Sequence, residues 1–544
     1  MPSSRIYLDE ILKQVPRLLG LLNRNPLSQN YGCFDRQYWQ YKITDTSSAR
    51  CQEGVLTLAL LYRINDRNNI YYQNDLVLEW INAGIRFWCN LQENNGSFNE
   101  WYPSEHSFVS TSFSSYAISE TLLLLGEKIS TINKVLICLR KSCSWISTRM
   151  ETRVQNQESG AVLALHNLFL LTGEKKWKFM ALKKVKYIIK SQTDEGWFNE
   201  YGGPDLGYLS LTVDYLSKYY HKTKNPQVLS ALKKAVNFIS YFLHPNFTFG
   251  GEYGSRNTEY MIPSSFEFLA KHSNDSKIIA KFNRVAISTG SMVNLSSLDD
   301  RYLSYIAYNW IHAFQYGKLN GILKIKDNDF LFSKHFNKYF YNAGIYIFSN
   351  SDNYIIVNCN KGGSFKLFKK DSSMNKSKTK VSSKVIYDSG ILINLVSGSP
   401  LMSGYLDKDT EVILKKGYLE IRGKFSKIKN RSLSPLVMIL LRTFQVTFGR
   451  NQKVGMFVKE KLRDKLISNN SKSDHSYVRR FLFTEGEIID QVFGKNIKTI
   501  ILSSKFSFSY TPSSRYFQES ELDNSPTIIK NSNKKTKLVY RRQI

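Results

Sequence analysis

The sequence predicts an (α/α)6-type toroid of helical hairpins followed by an antiparallel β-sandwich. Before about residue 320 the apolar residues recur with a helical period, and one-sided helices alternate with helices that are apolar on nearly every side. The turns between these helices repeat at about 50 residues. After about residue 340 the helices give way to short β-rich segments bounded by Gly, Asn, Asp and Ser.

The predicted helices fall into two classes that suit an outer and an inner ring. Residues 228–242 (VLSALKKAVNFISYF) carry one apolar face, and Asn225 followed by Pro226 is a suitable start for this helix. Residues 161–171 (AVLALHNLFLL) are apolar on nearly every side, as a helix buried all round would be. Six such hairpins account for a toroid domain over residues 1–320.

The connections between helices repeat as well. Residues 96–102 (GSFNEWY) match residues 196–201 (GWFNEY), residues 249–253 (FGGEY) are a third copy, and residues 32–34 (GCF) begin a fourth. The phenylalanines of the first three copies are spaced as one or two multiples of a unit of about 50 residues. This regularity predicts that the copies lie at equivalent places around the ring.

Acidic residues recur where the predicted inner helices begin. If these helices run in parallel, their carboxylates ring one mouth of the toroid, and we expect Glu53, His106, Glu158 and Asn257 to converge there. The alternative is that each carboxylate caps a helix or complements its dipole. The six residues are Glu53, Glu105, Glu158, Asp205, Glu259 and Asp300.

The second half is expected to form a β-sandwich domain over residues 340–520. Residues 436–444 fit either a strand or a short helix, residues 371–383 form a polar loop, and residues 521–544 are expected to be a basic flexible tail. The predicted strands are 343–348, 354–359, 364–368, 390–396, 411–414, 418–423, 479–484 and 499–503.

Composition restricts the function classes. The net charge of +30 favours a polyanionic partner, and no nucleic-acid-reading motif is present. The six cysteines show no pairing pattern, which is typical of a reducing compartment. The amphipathic N-terminus lacks the features of a signal peptide, and no apolar run is long enough to span a membrane, so a cytoplasmic location is expected. No metal-binding or cofactor-binding motif is found, and neither is expected.

The segment 249–260 (FGGEYGSRNTEY) has the densest mixture of groups suited to chemistry. It combines Tyr253, Arg256, Asn257 and Tyr260, and we add His106 because it lies at a predicted junction of loop and helix. The residues expected to bind substrate are Arg36, Trp39, Tyr41, Glu53, Asn99, Glu100, Trp101, Gln157, Glu158, Asn199, Glu200, Tyr201, Asp205, Glu252 and Glu259.

The order of toroid and sandwich, with the repeated turns and the segment 249–260, resembles the heparinase II/III-like polysaccharide lyases. The motifs at residues 32–42 (GCFDRQYWQYK) and 99–108 (NEWYPSEHSF) resemble those of uncharacterised bacterial proteins associated with surface polysaccharides. The resemblance implies a lyase that cleaves uronate-containing polymers by β-elimination. It also implies a histidine in the sandwich, for which neither His335 nor His475 has a suitable setting.

The implied chemistry distributes roles among the candidate residues. Asn257 and Arg256 would stabilise the substrate carboxylate, Tyr253 or Tyr260 would act as base or acid, and His106 would be a partner. Three functions are therefore open: a lyase or uronyl epimerase-like enzyme, a six-hairpin glycoside hydrolase that uses the carboxylates, and a non-catalytic glycan-binding factor in polysaccharide assembly. The expected partner is an acidic polysaccharide or oligosaccharide, and the oligomeric state is left open.

Overall fold

The helices of the first domain begin and end near the predicted positions. The computed structural model describes residues 2–321, 323–370, 384–386, 389–396, 399–428, 434–463, 472–484, 487–494, 497, 499–502, 527–530 and 538–544. Its helices are Arg5–Leu21 (α1), Arg36–Trp39 (α2), Gly54–Arg63 (α3), Asp75–Asn90 (α4), Phe108–Leu125 (α5), Ile132–Ser147 (α6), Gln155–Thr172 (α7), Lys175–Ser191 (α8), Leu206–Thr223 (α9), Pro226–Ser240 (α10), Ser264–Leu269 (α11), Asn274–Thr289 (α12), Asp300–Ile306 (α13), Tyr308–Asn320 (α14), Pro435–Val446 (α15) and Gln452–Arg463 (α16).

Six helices form a closed inner ring. Helix α3 contacts α5, and the contacts continue through α7, α9, α11 and α14 back to α3. The outer helices α1, α4, α6, α8, α10 and α12 pack around this ring. Helix α7 is buried along most of its length, whereas α10 buries one face, as their sequences predict. The predicted (α/α)6 toroid is confirmed.

The repeated turns owe their glycines to close packing of backbone on backbone. Gly96 and Gly196 have positive φ angles of 91° and 103°, which favour glycine. A Cβ atom at either position would collide with a carbonyl group of the neighbouring outer helix, that of Lys141 or Lys234. Gly32 meets the backbone of Ala83 in the same way. The sequence repeat therefore reflects packing of each turn against the next outer helix.

Antiparallel strands follow the toroid. They are Phe336–Phe340 (β1), Ile345–Ser349 (β2), Asn353–Asn358 (β3), Ser364–Lys369 (β4), Lys384–Ile386 (β5), Leu392–Val396 (β6), Ser399–Met402 (β7), Glu411–Lys415 (β8), Tyr418–Lys427 (β9), Lys472–Phe483 (β10), Ile488–Phe493 (β11), Thr499–Leu502 (β12), Thr527–Lys530 (β13) and Leu538–Gln543 (β14). One sheet has the order β1-β2-β3-β4-β5. The other has the order β13-β12-β6-β7-β9-β10-β11-β14, with β8 paired to β9.

The first sheet is covered on both faces. Ile355 and Val357 of β3 pack with the second sheet in one apolar core, which confirms the sandwich. Tyr354 and Ile356, on the opposite face of the same strand, join the apolar core of the toroid. Strand β3 is consequently buried at every residue. This arrangement fixes the sandwich against the toroid and places its loops beside residues 249–260.

Three further predictions from the sequence have different outcomes in the structure. Residues 436–444, open between strand and helix, lie in α15. The expected flexible tail at 521–544 is wrong for its described part, because β13 pairs with β12 and β14 pairs with β11. Tyr540 of β14 is buried and Arg542 contacts the buried carboxylate of Asp490 at 2.9 Å, so a basic sequence is held in the sheet. The polar loop at 371–383 lies outside the described residues.

Of the helices in the part of the chain that the structure describes, none has the length and apolar character that crossing a membrane requires.

Candidate functional site

A cleft of about 640 Å³ opens at the mouth of the toroid where the inner helices begin. Its walls come from the loop and first turn of α5, the connection between α6 and α7, the start of α9, and helix α13. Because these segments are the N-terminal ends of neighbouring inner helices, the ring itself gathers them around one opening. The cleft has the size of a site for several sugar units or a bulky small molecule.

Cationic side chains contribute to the cleft wall. They include Arg50, Arg149 and Arg153. Arg149 stacks on Trp145, with its guanidinium carbon 4.0 Å from the ring centroid. Among the described residues, its buried Nε has no hydrogen-bond partner. The side chain as a whole is partly exposed on the cleft wall, where its positive charge suits an anionic ligand.

Aromatic rings line much of the remaining surface. Trp101 is 52% exposed, so its ring is available for stacking. Arg301 lies 4.5 Å from the centroid of that ring. Tyr208 and Tyr302 flank Tyr260 on the cleft wall, each with a centroid separation of 6.2 Å. Flat apolar faces beside cationic donors suit a sugar that carries a carboxylate.

Two tyrosines of the cleft differ in their electrostatic setting. Tyr260 is only 1% exposed, and burial raises its pKa well above the ordinary value. Its hydroxyl therefore keeps its proton at neutral pH. Tyr201 instead has the guanidinium carbon of Arg256 at 4.8 Å from its ring centroid. This contact is a cation–π interaction, so the ring of Tyr201 faces a positive charge.

The imidazole of His106 also lines the cleft. Its Nδ1 lies 2.7 Å from the hydroxyl of Ser97 and 3.1 Å from the amide nitrogen of Asn95. These contacts fix the orientation of the ring in the wall. Of the residues predicted from the sequence, the cleft brings together Glu100, Trp101, His106, Gln157, Tyr201 and Tyr260, with Arg256 behind Tyr201.

Tyr253 and Asn257 do not fit the catalytic roles predicted for them. Neither lines the cleft, and both side chains are fully buried. The hydroxyl of Tyr253 lies 2.9 Å from Nε2 of His244, and burial raises its pKa. Oδ1 of Asn257 accepts a hydrogen bond from Lys361 at 2.7 Å. Asn257 therefore ties the segment 249–260 to the sandwich and Tyr253 ties it to His244 of the toroid, two partners that the sequence could not indicate.

Of the predicted ring of acidic residues, Glu105 lines the cleft, and the others have partners within the protein. Asp205 accepts from the backbone of Tyr208 and Arg256, so it caps α9 and ties down the segment 249–260. Glu158 forms a buried ion pair with Lys184 at 2.5 Å. Glu200 accepts two hydrogen bonds from Asn156. The remaining partners of predicted acidic residues are Arg50 for Glu53, Lys366 for Glu252 and Glu259, and Arg17 for Asp300.

The equivalent asparagines of the two long turn copies are structural. Nδ2 of Asn99 donates to Glu93 at 2.6 Å, and Nδ2 of Asn199 donates to the carbonyl of Arg153 at 3.1 Å. Because these contacts stabilise the turns, neither asparagine is assigned to substrate.

The candidates from the first loop lie away from the cleft. Nε1 of Trp39 donates to the carbonyl of Leu21 at 2.7 Å, which anchors the loop on α1. Arg36 and Tyr41 line a separate cavity of about 210 Å³. The guanidinium carbon of Arg36 lies 5.2 Å from the centroid of the Tyr41 ring. The three residues therefore do not join the main site.

Sequence reasoning missed several residues of the cleft. Arg50 stands just before α3, while Arg149 and Arg153 lie in the connection from α6 to α7. The sequence did carry a signal for Arg149 and Arg153. Both flank a short loop that precedes an inner helix, as other cleft residues do. Trp145, Tyr208 and Tyr302 lie on helices and resemble core residues in the sequence.

Glu53, which contacts Arg50 of the cleft wall, makes a pH-dependent contribution to the free energy of unfolding. Its carboxylate is fully buried, and its Oε1 accepts from Nε of Arg50 at 2.8 Å. Burial raises its pKa to about 7, despite the opposing effect of Arg50. Because the unfolded chain loses this proton near the ordinary value of 4.5, the contribution is present below that pH and is lost as the pH rises to 7.

The variant Glu53→Gln removes this titration. The free energy of unfolding of the wild type should fall by about 3 kcal/mol relative to the variant across that interval. Denaturant unfolding of both proteins at several pH values measures the difference. A difference that stays constant with pH would show that Glu53 titrates normally in the folded protein.

This chain is similar in fold to proteins of known structure. No family model and no curated sequence matches this chain. A xanthan lyase from Paenibacillus superposes with a TM-score of 0.54 and 10% identity, over 91% of this chain and 46% of that one. A chondroitin AC lyase from Streptomyces coelicolor A3, solved with chondroitin sulphate, has a TM-score of 0.54 and 8% identity, over 91% of this chain and 67% of that one. The chain has the fold of these polysaccharide lyases.

The structural similarity confirms, for the fold, the resemblance inferred from the order of toroid and sandwich. The chain spans less than half the length of the xanthan lyase and about two thirds of the chondroitin lyase. At 8% and 10% identity, the similarity supports a common fold and says nothing about a common activity.

Proposed function

We propose that this protein cleaves an acidic polysaccharide by β-elimination in the toroid cleft. The observation that carries the proposal is the combination, in one cleft, of arginines with tyrosines in two different electrostatic settings. The two proteins of similar fold are named as lyases of xanthan and of chondroitin, which supports a polysaccharide substrate.

The elimination needs three groups. A cation stabilises the substrate carboxylate while the adjacent carbon loses its proton to a base. The electrons of that C–H bond form a C=C bond as the C–O bond to the next sugar breaks, and an acid protonates the leaving oxygen. Arg149 suits the first role because its guanidinium is held on Trp145 and is partly exposed on the cleft wall.

The two tyrosines divide the proton transfers. Tyr260 is the acid, since burial keeps its phenol protonated. Tyr201 is the base, with the cation of Arg256 stacked on its ring. His106 lies in the same wall and orients the sugar or assists the base. These assignments replace the roles first expected for Tyr253 and Asn257.

The carboxylates of the cleft favour elimination over glycoside hydrolysis. Hydrolysis needs one carboxylate as acid and another as base or nucleophile. Oε2 of Glu105 accepts from the backbone nitrogens of Glu100 and Trp101 at 2.8 and 2.7 Å, so it holds the turn. Glu100 lies 3.9 Å from the guanidinium of Arg50. Glu151, the third glutamate of the cleft wall, accepts from the backbone nitrogen of Arg153 at 2.8 Å. All three carboxylates therefore form contacts within the protein.

The test is incubation with a panel of uronate-containing polymers, xanthan and chondroitin sulphate among them. We expect the ultraviolet absorbance of a new C=C bond to grow with time on at least one polymer. Products of the same length without that absorbance would indicate hydrolysis. Affinity that falls with salt, without any product, would indicate a binding factor.

The variant Arg149→Met should raise KM for the cleaved polymer by about tenfold or more, because a charge-assisted hydrogen bond to the carboxylate is lost. Arg140→Met is the matched control, since Arg140 lies on the outer helix α6 and pairs with Glu174 away from the cleft. Equal KM values for the two variants would remove Arg149 from substrate binding.

A further inference from the structure

A helical hairpin inserted in the sandwich exposes an unusual amount of apolar surface. Helix α15 (PLVMILLRTFQV) has no buried residue, and a short turn at Phe448–Arg450 joins it to α16. Leu436, Ile439 and Leu440 are 66%, 62% and 61% exposed, and Phe448 is 74% exposed. Solvent-exposed apolar runs of this kind mark an interaction surface.

The charge of the hairpin restricts its partner. The sequence 435–463 contains six basic residues and one acidic residue. Arg450, Lys453 and Lys461 are exposed, and the apolar Val454 and Phe457 of α16 are 39% and 61% exposed beside them. An apolar face accompanied by Lys and Arg is the pattern of helices that lie in the interface of a negatively charged bilayer.

The hairpin also stands next to the cleft. Arg442 of α15 forms an ion pair with Asp45 of the toroid at 3.2 Å. Oε1 of Gln452, at the start of α16, accepts from Nδ2 of Asn95 at 3.4 Å, and Asn95 contacts His106 of the cleft wall. These contacts fix the hairpin on the rim beside the cleft, so whatever binds it lies near the opening.

We propose that the hairpin α15–α16 docks this protein on an anionic lipid bilayer. The apolar residues at 436–440 enter the boundary between headgroups and acyl chains, while the basic residues contact lipid phosphates. A second copy of the chain fits less well, because a symmetric contact would place like charges against each other. The proposal stands on the hairpin alone and is independent of the chemistry in the cleft.

Sedimentation with vesicles tests the proposal on the full chain. We expect partition to phosphatidylglycerol vesicles to exceed partition to phosphatidylcholine vesicles at least about tenfold. The double variant Ile439→Glu with Leu440→Glu should lower partition to phosphatidylglycerol at least about tenfold, since two exposed apolar side chains become charged. The matched control is Ile70→Glu with Leu319→Glu, which changes two toroid residues that are 75% and 81% exposed.

The control should bind phosphatidylglycerol vesicles like the wild type. Equal losses in the two double variants would overturn the proposal, because the effect would then come from net charge. Absence of binding to either kind of vesicle would also overturn it. Self-association in solution that is lost only in the Ile439→Glu and Leu440→Glu variant would replace the bilayer by a second copy of the chain.

Discussion

The variant Tyr260→Phe is expected to lower kcat at least about 100-fold on the cleaved polymer, with little change in KM. The substitution removes only the hydroxyl that donates the proton to the leaving oxygen. The ring keeps its packing between Tyr208 and Tyr302. Steady-state kinetics from the absorbance of the unsaturated product measure the change.

Tyr253→Phe is the matched control for this prediction. Both tyrosines belong to the segment 249–260 and both are nearly inaccessible to solvent, but only Tyr260 lines the cleft. The control loses the contact with His244 and about 1 kcal/mol of unfolding free energy, while kcat should stay within about twofold of the wild type. A larger loss of kcat in Tyr253→Phe than in Tyr260→Phe would move the acid to the buried tyrosine.

Lys361→Met is expected to have the largest effect on stability. Lys361 lies in the sandwich and is 1% exposed, and its ammonium donates to three oxygens of the segment 249–260. The acceptors are the carbonyls of Glu252 and Gly254 at 2.6 and 2.8 Å and Oδ1 of Asn257 at 2.7 Å. Removing the cation takes a charged donor away from three buried acceptors, and the free energy of unfolding should fall by about 4 kcal/mol.

The same variant tests a positioning role for Lys361. Burial lowers its pKa to about 8, so the ammonium form prevails at neutral pH and keeps the segment that carries Arg256 and Tyr260 in place. We expect kcat to fall at least about tenfold at a temperature where the variant is still folded, with a smaller change in KM. Thermal unfolding followed by circular dichroism establishes that temperature.

Lys366→Met is the control for Lys361→Met. Lys366 also joins the sandwich to the segment, through Glu259 at 2.9 Å, but its side chain is 16% exposed. Its loss should cost less unfolding free energy than the loss of Lys361, because the Lys366 ammonium is partly accessible to solvent. If the folded Lys361→Met protein has the kcat of the wild type, Lys361 holds the domains together without positioning the site.

The fold could be predicted because its signals are local and repeated. Glycines such as Gly96 and Gly196 are required wherever a turn meets the backbone of the next outer helix, so the repeat is visible in the sequence. The apolar inner helices, such as α7, differ from the one-sided outer helices by composition alone. The tail was mistaken because one of its basic residues, Arg542, is paired with Asp490, a partner that no local pattern indicates.

The site was harder to predict because some residues of the segment 249–260 stabilise the protein, while others of the same types line the cleft. The side chain of Tyr253 contacts His244 inside the toroid and that of Asn257 contacts Lys361 of the sandwich, whereas Tyr260 lines the cleft. For Asn257 the deciding partner lies in a domain about 100 residues later in the chain. The acidic residues were misinterpreted for a related reason. Carboxylates that stabilise the ring of helices occur at the same regular positions as carboxylates that would bind substrate.

A crystal structure of the Tyr260→Phe variant with an acidic oligosaccharide from the polymer panel tests whether elimination takes place in the toroid cleft. We expect density in the cleft between Trp101 and Tyr201, with a sugar carboxylate at the guanidinium of Arg149 and the glycosidic oxygen facing position 260. An oligosaccharide bound elsewhere on the toroid or sandwich, with the cleft empty at saturating concentration, would contradict it.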